Sequence, residues 1–180
     1  MHPEVFRDAV CRLPTRRFGI LSECLCRRLL GAPRSTSSAY DLGGPDRRIE
    51  CKFSVARHRS PRFESDDLLA SVARFAAEGD RLLAFDQWSS ADFACNIQCI
   101  KPSEFDLLYY GIFFSDLIAV FSAESGLIGT PCLPAHPQAH HSTHLQFHLN
   151  RFNLSWHLRE RLHATITWVE VVRLLDSTAH

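Results

Sequence analysis

Residues 39–42 and 48–53 form two short runs around the turn-forming stretch Gly43-Gly-Pro-Asp46. Glycine and proline between two such runs predict a β-hairpin. Strand side chains alternate between faces, so Ile49, Cys51 and Phe53 share one face and Glu50 and Lys52 the other. With Pro45-Asp46 at the centre of the turn, Asp41 falls opposite Glu50. Two carboxylates and one ammonium then meet on a small surface while the apolar face remains free to pack.

Other elements follow from spacing. Phe18, Leu21, Leu25 and Leu29, with Cys24, recur at three- and four-residue steps, and Gly31 and Pro33 end the run, which predicts a helix over Thr15–Leu30. Ser65 is placed to cap a helix over 66–77 that stops at Gly79, and residues 81–85 read as a short buried strand. Phe93, Cys95, Ile97 and Cys99 alternate with small or polar residues, a strand pattern with one apolar face. Pro102 is expected to open a helix running to about Phe114, followed by a buried strand over 117–121 and a turn at Glu124-Ser-Gly126. Residues 130–150 hold three prolines and five of the ten histidines, and are expected to form a long surface loop. Thr167-Trp-Val-Glu170 is a capping box that should start a last helix through Leu175. Alternating helices and strands predict an α/β domain with a mixed central sheet flanked by helices.

The chain has 180 residues, 46% apolar and 22% charged, as expected for one folded domain, 1–180, and unlike a disordered or coiled-coil chain. The longest apolar stretch, 105–121, is interrupted by Asp106, Ser115 and Asp116, so no membrane span is expected, and the N-terminus lacks a secretion-signal pattern. A cytoplasmic location follows as the expectation, with seven reduced cysteines and no Cys-x-x-Cys pair. Walker, Rossmann and Gly-x-Ser-x-Gly patterns are absent, which excludes the usual nucleotide-cofactor and serine-hydrolase readings.

Net charge is zero, yet residues 1–62 carry 13 basic side chains against 6 acidic ones. A one-sided field of that kind favours a polyanion such as DNA. Arginine supplies 18 of the 20 basic side chains. The two lysines, Lys52 and Lys101, therefore stand out, because a compact ammonium does what guanidinium cannot.

Asp41, Glu50 and Lys52 together suit metal-assisted phosphodiester hydrolysis. Two carboxylates offer oxygen ligands to Mg²⁺, and the ammonium can orient water or stabilise charge on the phosphorane. Guanidinium is bulkier and cannot easily lose its proton, which favours lysine at that position. The pattern Tyr40-Asp-Leu, eight residues, Glu50-Cys-Lys52 resembles the PD-(D/E)xK nuclease superfamily, which includes many type II restriction endonucleases. The resemblance covers residues 16–54 best, with a looser match in order to about 122, and departs in having Tyr40 where the family has proline.

The resemblance implies a restriction-endonuclease-like core over about 15–122, with a His-rich loop and C-terminal helical segment over about 123–180. It implies Mg²⁺ held by Asp41, Glu50 and the carbonyl of Cys51, with Lys52 assisting attack on double-stranded DNA and 5′-phosphate ends as product. A helix glutamate leaning toward the metal, as in many members, falls on Glu23; the other reading of Glu23 is an exposed pair with Arg27. A sequence-specific restriction enzyme acting as a homodimer is the leading expectation. A Holliday-junction resolvase, a homing or repair nuclease, and a non-catalytic DNA-binding or zinc-stabilised module are the alternatives.

Arg57, Arg59 and Arg62 follow the motif strand and are candidate phosphate contacts, while Gln146, His148 and Asn150 are candidate base contacts. Cys132 with His140, His141, His144 and His148 lacks the paired thiolates of a structural zinc site. Lys101, before Pro102, reads as a solvated lysine at a strand-to-helix junction.

Overall fold

An apolar run that is buried on both faces occupies the centre of the molecule. In the computed structural model, which describes residues 1–44, 46–59, 67–77, 81–139 and 141–177, Leu107–Phe113 is the buried strand β4 rather than a helix. Leu108, Tyr110 and Ile112 enter one core and Leu107, Tyr109 and Phe113 the other. The run was expected to be helical because an uninterrupted apolar stretch shows no period; its Tyr-Tyr-Gly-Ile-Phe-Phe content favours a strand buried on both faces. Gly111 is required there, since a Cβ would lie 2.2 Å from the Phe53 ring and 2.7 Å from the Ala119 carbonyl.

The chain begins with helices α1 (Pro3–Cys11) and α2 (Thr15–Leu30), the second stopped by Gly31 in the left-handed region (φ 62°). The hairpin strands β1 (Leu42–Gly44) and β2 (Arg47–Val55) follow, then α3 (Leu68–Ala77). Asp67 caps α3, its Oδ1 accepting the Ala70 N–H at 3.1 Å. Pro45, Arg62, Ser65, Gly79 and His140 lie outside the described residues. Residues 81–85 are not a regular strand: Leu82 forms a single bridge with Arg57, and buried Leu83 bonds Ala56 and Ser115 through its backbone before a 3₁₀ turn at Phe85–Gln87.

Strands β3 (Ala94–Ile100) and β5 (Leu117–Glu124) form as expected. Residues 130–150 are not a loop: they contain β6 (His136–Gln138) and β7 (His141–Asn150). Helix α4 (Leu154–Glu160), strand β8 (Leu162–Thr167) and helix α5 (Trp168–Asp176) complete the order, and α5 starts on the predicted capping box, with the Glu170 N–H on Thr167 Oγ1 at 3.3 Å.

Five strands form a mixed sheet in the order β1-β2-β4-β5-β8, with β2 and β4 parallel and the other neighbours antiparallel. On one face, Ile49, Cys51, Tyr109 and Val120 pack with residues of α1, α2 and α5. The other face meets a second sheet, β3-β7-β6, whose Cys95, Ile97, Phe147 and Leu149 are buried against Leu108, Tyr110 and Phe121. The mixed sheet flanked by helices is therefore present, with a three-stranded sheet and α4 on the side where further helices were expected. Each large side chain fully buried between these layers contributes about 1.5–3 kcal/mol. Among the described residues, no helix is long and apolar enough to cross a membrane.

Candidate active site

The hairpin register sets the site. Leu42 pairs with Ile49, Gly43 with Arg48 and Gly44 with Arg47; Asp41 lies just before this ladder, and its carboxylate reaches that of Glu50, to which it is hydrogen-bonded. The Asp41 N–H donates to the Ile49 carbonyl at 3.0 Å, and Asp41 Oδ2 accepts the Cys51 N–H at 2.8 Å. Backbone groups of alternate residues point to the same edge of a strand, so the Cys51 carbonyl turns toward the β1 edge as the Ile49 carbonyl does. The Cys51 side chain is buried against Cys26 of α2, and Glu50 and Lys52 project from the opposite face, as the alternation predicts.

Glu50 is 9% exposed and its carboxylate is paired with the Lys52 ammonium. Burial, together with the charge of Asp41 and a hydrogen bond to it, outweighs the attraction of Lys52 and pushes the Glu50 carboxyl up to about 7. Lys52 also moves upward: burial lowers it, but the charge and hydrogen bond of Glu50 and the charge of Asp41 more than compensate. Glu50 therefore changes charge near neutral pH, while Lys52 keeps its proton. With two carboxylates beside it, Lys52 is a compact positive charge at this site.

The three side chains line a polar hollow of about 300 Å³ together with Ser38, Cys99, Lys101, Glu104 and His144. Both lysines of the chain therefore reach one site. Lys101 precedes a turn rather than a helix, and its partly exposed side chain is paired. Its ammonium holds Glu104 at 3.0 and 3.2 Å, and the Glu104 N–H donates to its carbonyl at 2.9 Å. The rarity of lysine was the usable signal; the expected helix after Pro102 hid it. His144 arrives on β7, within the segment expected to be a loop.

Glu23 lines a neighbouring hollow that shares Ser38 and Asp41 with the first. Its carboxylate pairs with Arg34 at 3.0 Å rather than with Arg27. The Glu23 side chain is 15% exposed.

The candidate DNA contacts separate. Arg57 is tied to the Cys11 carbonyl at the end of α1, whereas exposed Arg59 is only loosely paired with Asp92 at 3.7 Å. Gln146 accepts a hydrogen bond from Asn96 at 3.1 Å, and exposed His148 stacks on His136 with ring centroids 5.6 Å apart. Asn150 is a turn residue: its Oδ1 accepts the Phe152 N–H and its own N–H donates to Asn153, both at 2.9 Å. Of the Asn150 side chain, the Oδ1 oxygen is thereby engaged in holding the turn.

The donor set is one that Mg²⁺ uses. Mg²⁺ is generally held by one or two carboxylates, with waters and substrate phosphates completing its shell. Two carboxylates close enough for one to raise the other leave negative charge that a divalent cation relieves, and the Cys51 carbonyl lies on the same edge. Among the described residues, no group of three or more His, Cys, Asp or Glu side chains could hold a metal ion, so the remaining ligands would be backbone, water and substrate. No family model matches the chain, and neither any curated protein nor any solved structure matches it.

Proposed function

We propose that the chain is a Mg²⁺-dependent endonuclease of PD-(D/E)xK type, hydrolysing phosphodiester bonds of double-stranded DNA at a specific sequence in the cytoplasm. The observation that carries the reading is the meeting of the Asp41, Glu50 and Lys52 side chains at one polar hollow. Asp41, Glu50 and the Cys51 carbonyl would hold the cation. When bound, it supplies charge neutralisation at the phosphate and a more acidic water.

The remaining work falls to the chain. The Lys52 ammonium, fixed by Glu50, holds water or a non-bridging oxygen by hydrogen bonding and stabilises charge that grows on the phosphorane, an interaction worth about 10²–10³ in rate when removed. Because Lys52 keeps its proton, it serves as an electrostatic and orienting group rather than as a base. Water attacks phosphorus, the P–O3′ bond breaks, and the products are a 5′-phosphate and a 3′-hydroxyl. A small restriction enzyme acting as a homodimer fits this chemistry, since two-fold symmetry presents two hollows to a palindromic duplex.

The test is incubation of purified protein with unmethylated plasmid and phage DNA in Mg²⁺ or EDTA, beside Glu50→Ala and Lys52→Ala. Discrete Mg²⁺-dependent fragments lost in both variants are the expected result. Cleavage that survives both substitutions, or none at all, overturns the reading. Cleavage confined to four-way junctions would reassign the same hollow to a resolvase.

A further inference from the structure

Strand β3 carries a distortion next to the hollow. Its pairing with β7 shifts register between Ile97 and Ile100, and Cys99 sits at φ 59°, among the described residues the only non-glycine with positive φ. Such a conformation is unfavourable for a residue with a Cβ and persists only where its surroundings impose it. Here the Cys99 N–H is held by Gln138 Oε1 at 3.1 Å. A bulge re-aims the end of its strand. Without it, Cys99 would follow Cys95 and Ile97 into the core; with it, Ile100 is buried instead, Cys99 is exposed, and both Cys99 and Lys101 line the hollow opposite Asp41 and Glu50. The turn that follows is then closed twice over Lys101 and Glu104, by backbone and by side chains.

We propose that Lys101 is a second phosphate-binding group of the hollow, delivered by the β3 bulge and held in position by Glu104, and that it grips the DNA backbone independently of base sequence. The proposal rests on the nuclease reading for its ligand, a phosphodiester, and for the divalent cation of the hollow. Charge complementarity supports the assignment. The hollow is lined by three carboxylates, Asp41, Glu50 and Glu104, and by two ammonium groups, Lys52 and Lys101. With all of them ionised it repels a phosphate; one divalent cation turns it to a single positive charge, which a single phosphodiester cancels. Removing Lys101 leaves the loaded hollow with no net attraction. An exposed lysine–glutamate pair contributes little to folding, so stability alone gives the strained bulge no purpose.

The experiment measures binding of a short mixed-sequence duplex to the full chain in Ca²⁺, which takes oxygen ligands, over a series of salt concentrations. Wild type, Lys101→Ala and Lys101→Arg are compared, and the same preparations are assayed for cleavage in Mg²⁺. Lys101→Ala is expected to weaken binding by about 5–10-fold and to flatten the salt dependence by about one counterion, equally for unrelated sequences and with an unchanged melting temperature. Lys101→Arg should keep the wild-type slope, because it keeps the charge. A wild-type affinity and slope in Lys101→Ala would overturn the proposal even if the wild type cleaves. A Lys101-dependent slope without cleavage would sustain the phosphate contact and sink the nuclease reading, and absence of duplex binding by the wild type would sink both.

Discussion

Two carboxylate–cation pairs border β2, and they are built for opposite ends. At the start of the strand, Arg48 grips Asp106 through its guanidinium at 2.7 and 3.2 Å, and Asp106 also accepts the Arg48 N–H at 2.8 Å. Those donors hold the Asp106 carboxyl down at about 2. Two residues further on, Glu50 has a lysine partner but is buried beside another carboxylate, and rises to about 7. The first pair ties the beginning of β2 to the residue before β4 and stays ionised. The second holds a charge that the fold does not fully neutralise, which fits the proposed cation site.

The sharpest way to break this contrast is to remove each carboxylate's charge. Glu50→Gln should lower Mg²⁺-dependent cleavage by about 100-fold or more, whereas Asp106→Asn should leave it within a few-fold of wild type. Equal losses, measured under single-turnover conditions, would abolish the distinction.

Stability should move the other way. Because Glu50 binds its proton more tightly in the folded than in the unfolded chain, its contribution is neutral below about pH 4.5. Between there and about 7 the unfolded chain ionises first and stability falls; above 7 the cost is complete, on the order of 3 kcal/mol. Urea denaturation in EDTA should therefore find Glu50→Gln more stable than wild type at pH 8 and equal to it at pH 4. Asp106 has the opposite sign: its contribution is present above about pH 4 and disappears as pH falls through about 2.

A smaller effect concerns cation and proton competing for one carboxylate. Cleavage at limiting Mg²⁺ should rise with pH around a midpoint close to 7, and saturating Mg²⁺ should move that midpoint downward. A midpoint insensitive to Mg²⁺ would separate the titrating group from the cation site. The smallest change expected is in Arg48→Ala, a modest drop in melting temperature at neutral pH that vanishes near pH 2, read by circular dichroism.

The chain also shows where sequence reasoning reaches and where it stops. The α2 helix with its Gly31 stop, the hairpin register, the segregation of Glu50 and Lys52 from Cys51, and the Thr167–Glu170 cap were all readable from residues no more than about ten positions apart. Their physics is local: turn geometry, side-chain alternation and capping hydrogen bonds. Lys101 was singled out by its rarity and then placed wrongly, because its place depends on whether the residues after it form a helix or a strand.

By itself the sequence determined that Glu50 and Lys52 would share one face of a hairpin strand, away from Cys51, because side chains alternate along a strand. Only the tertiary structure decided that residues 107–113 are a strand, because an apolar run takes its conformation from its neighbours, here β2 on one side and β5 on the other. It also decided that the histidine-rich segment pairs with β3, that the bulge at Cys99 brings Lys101 to the hollow, and that Glu50 holds its proton to about pH 7. Each of these depends on burial and pairing with distant parts of the chain, which no local pattern encodes.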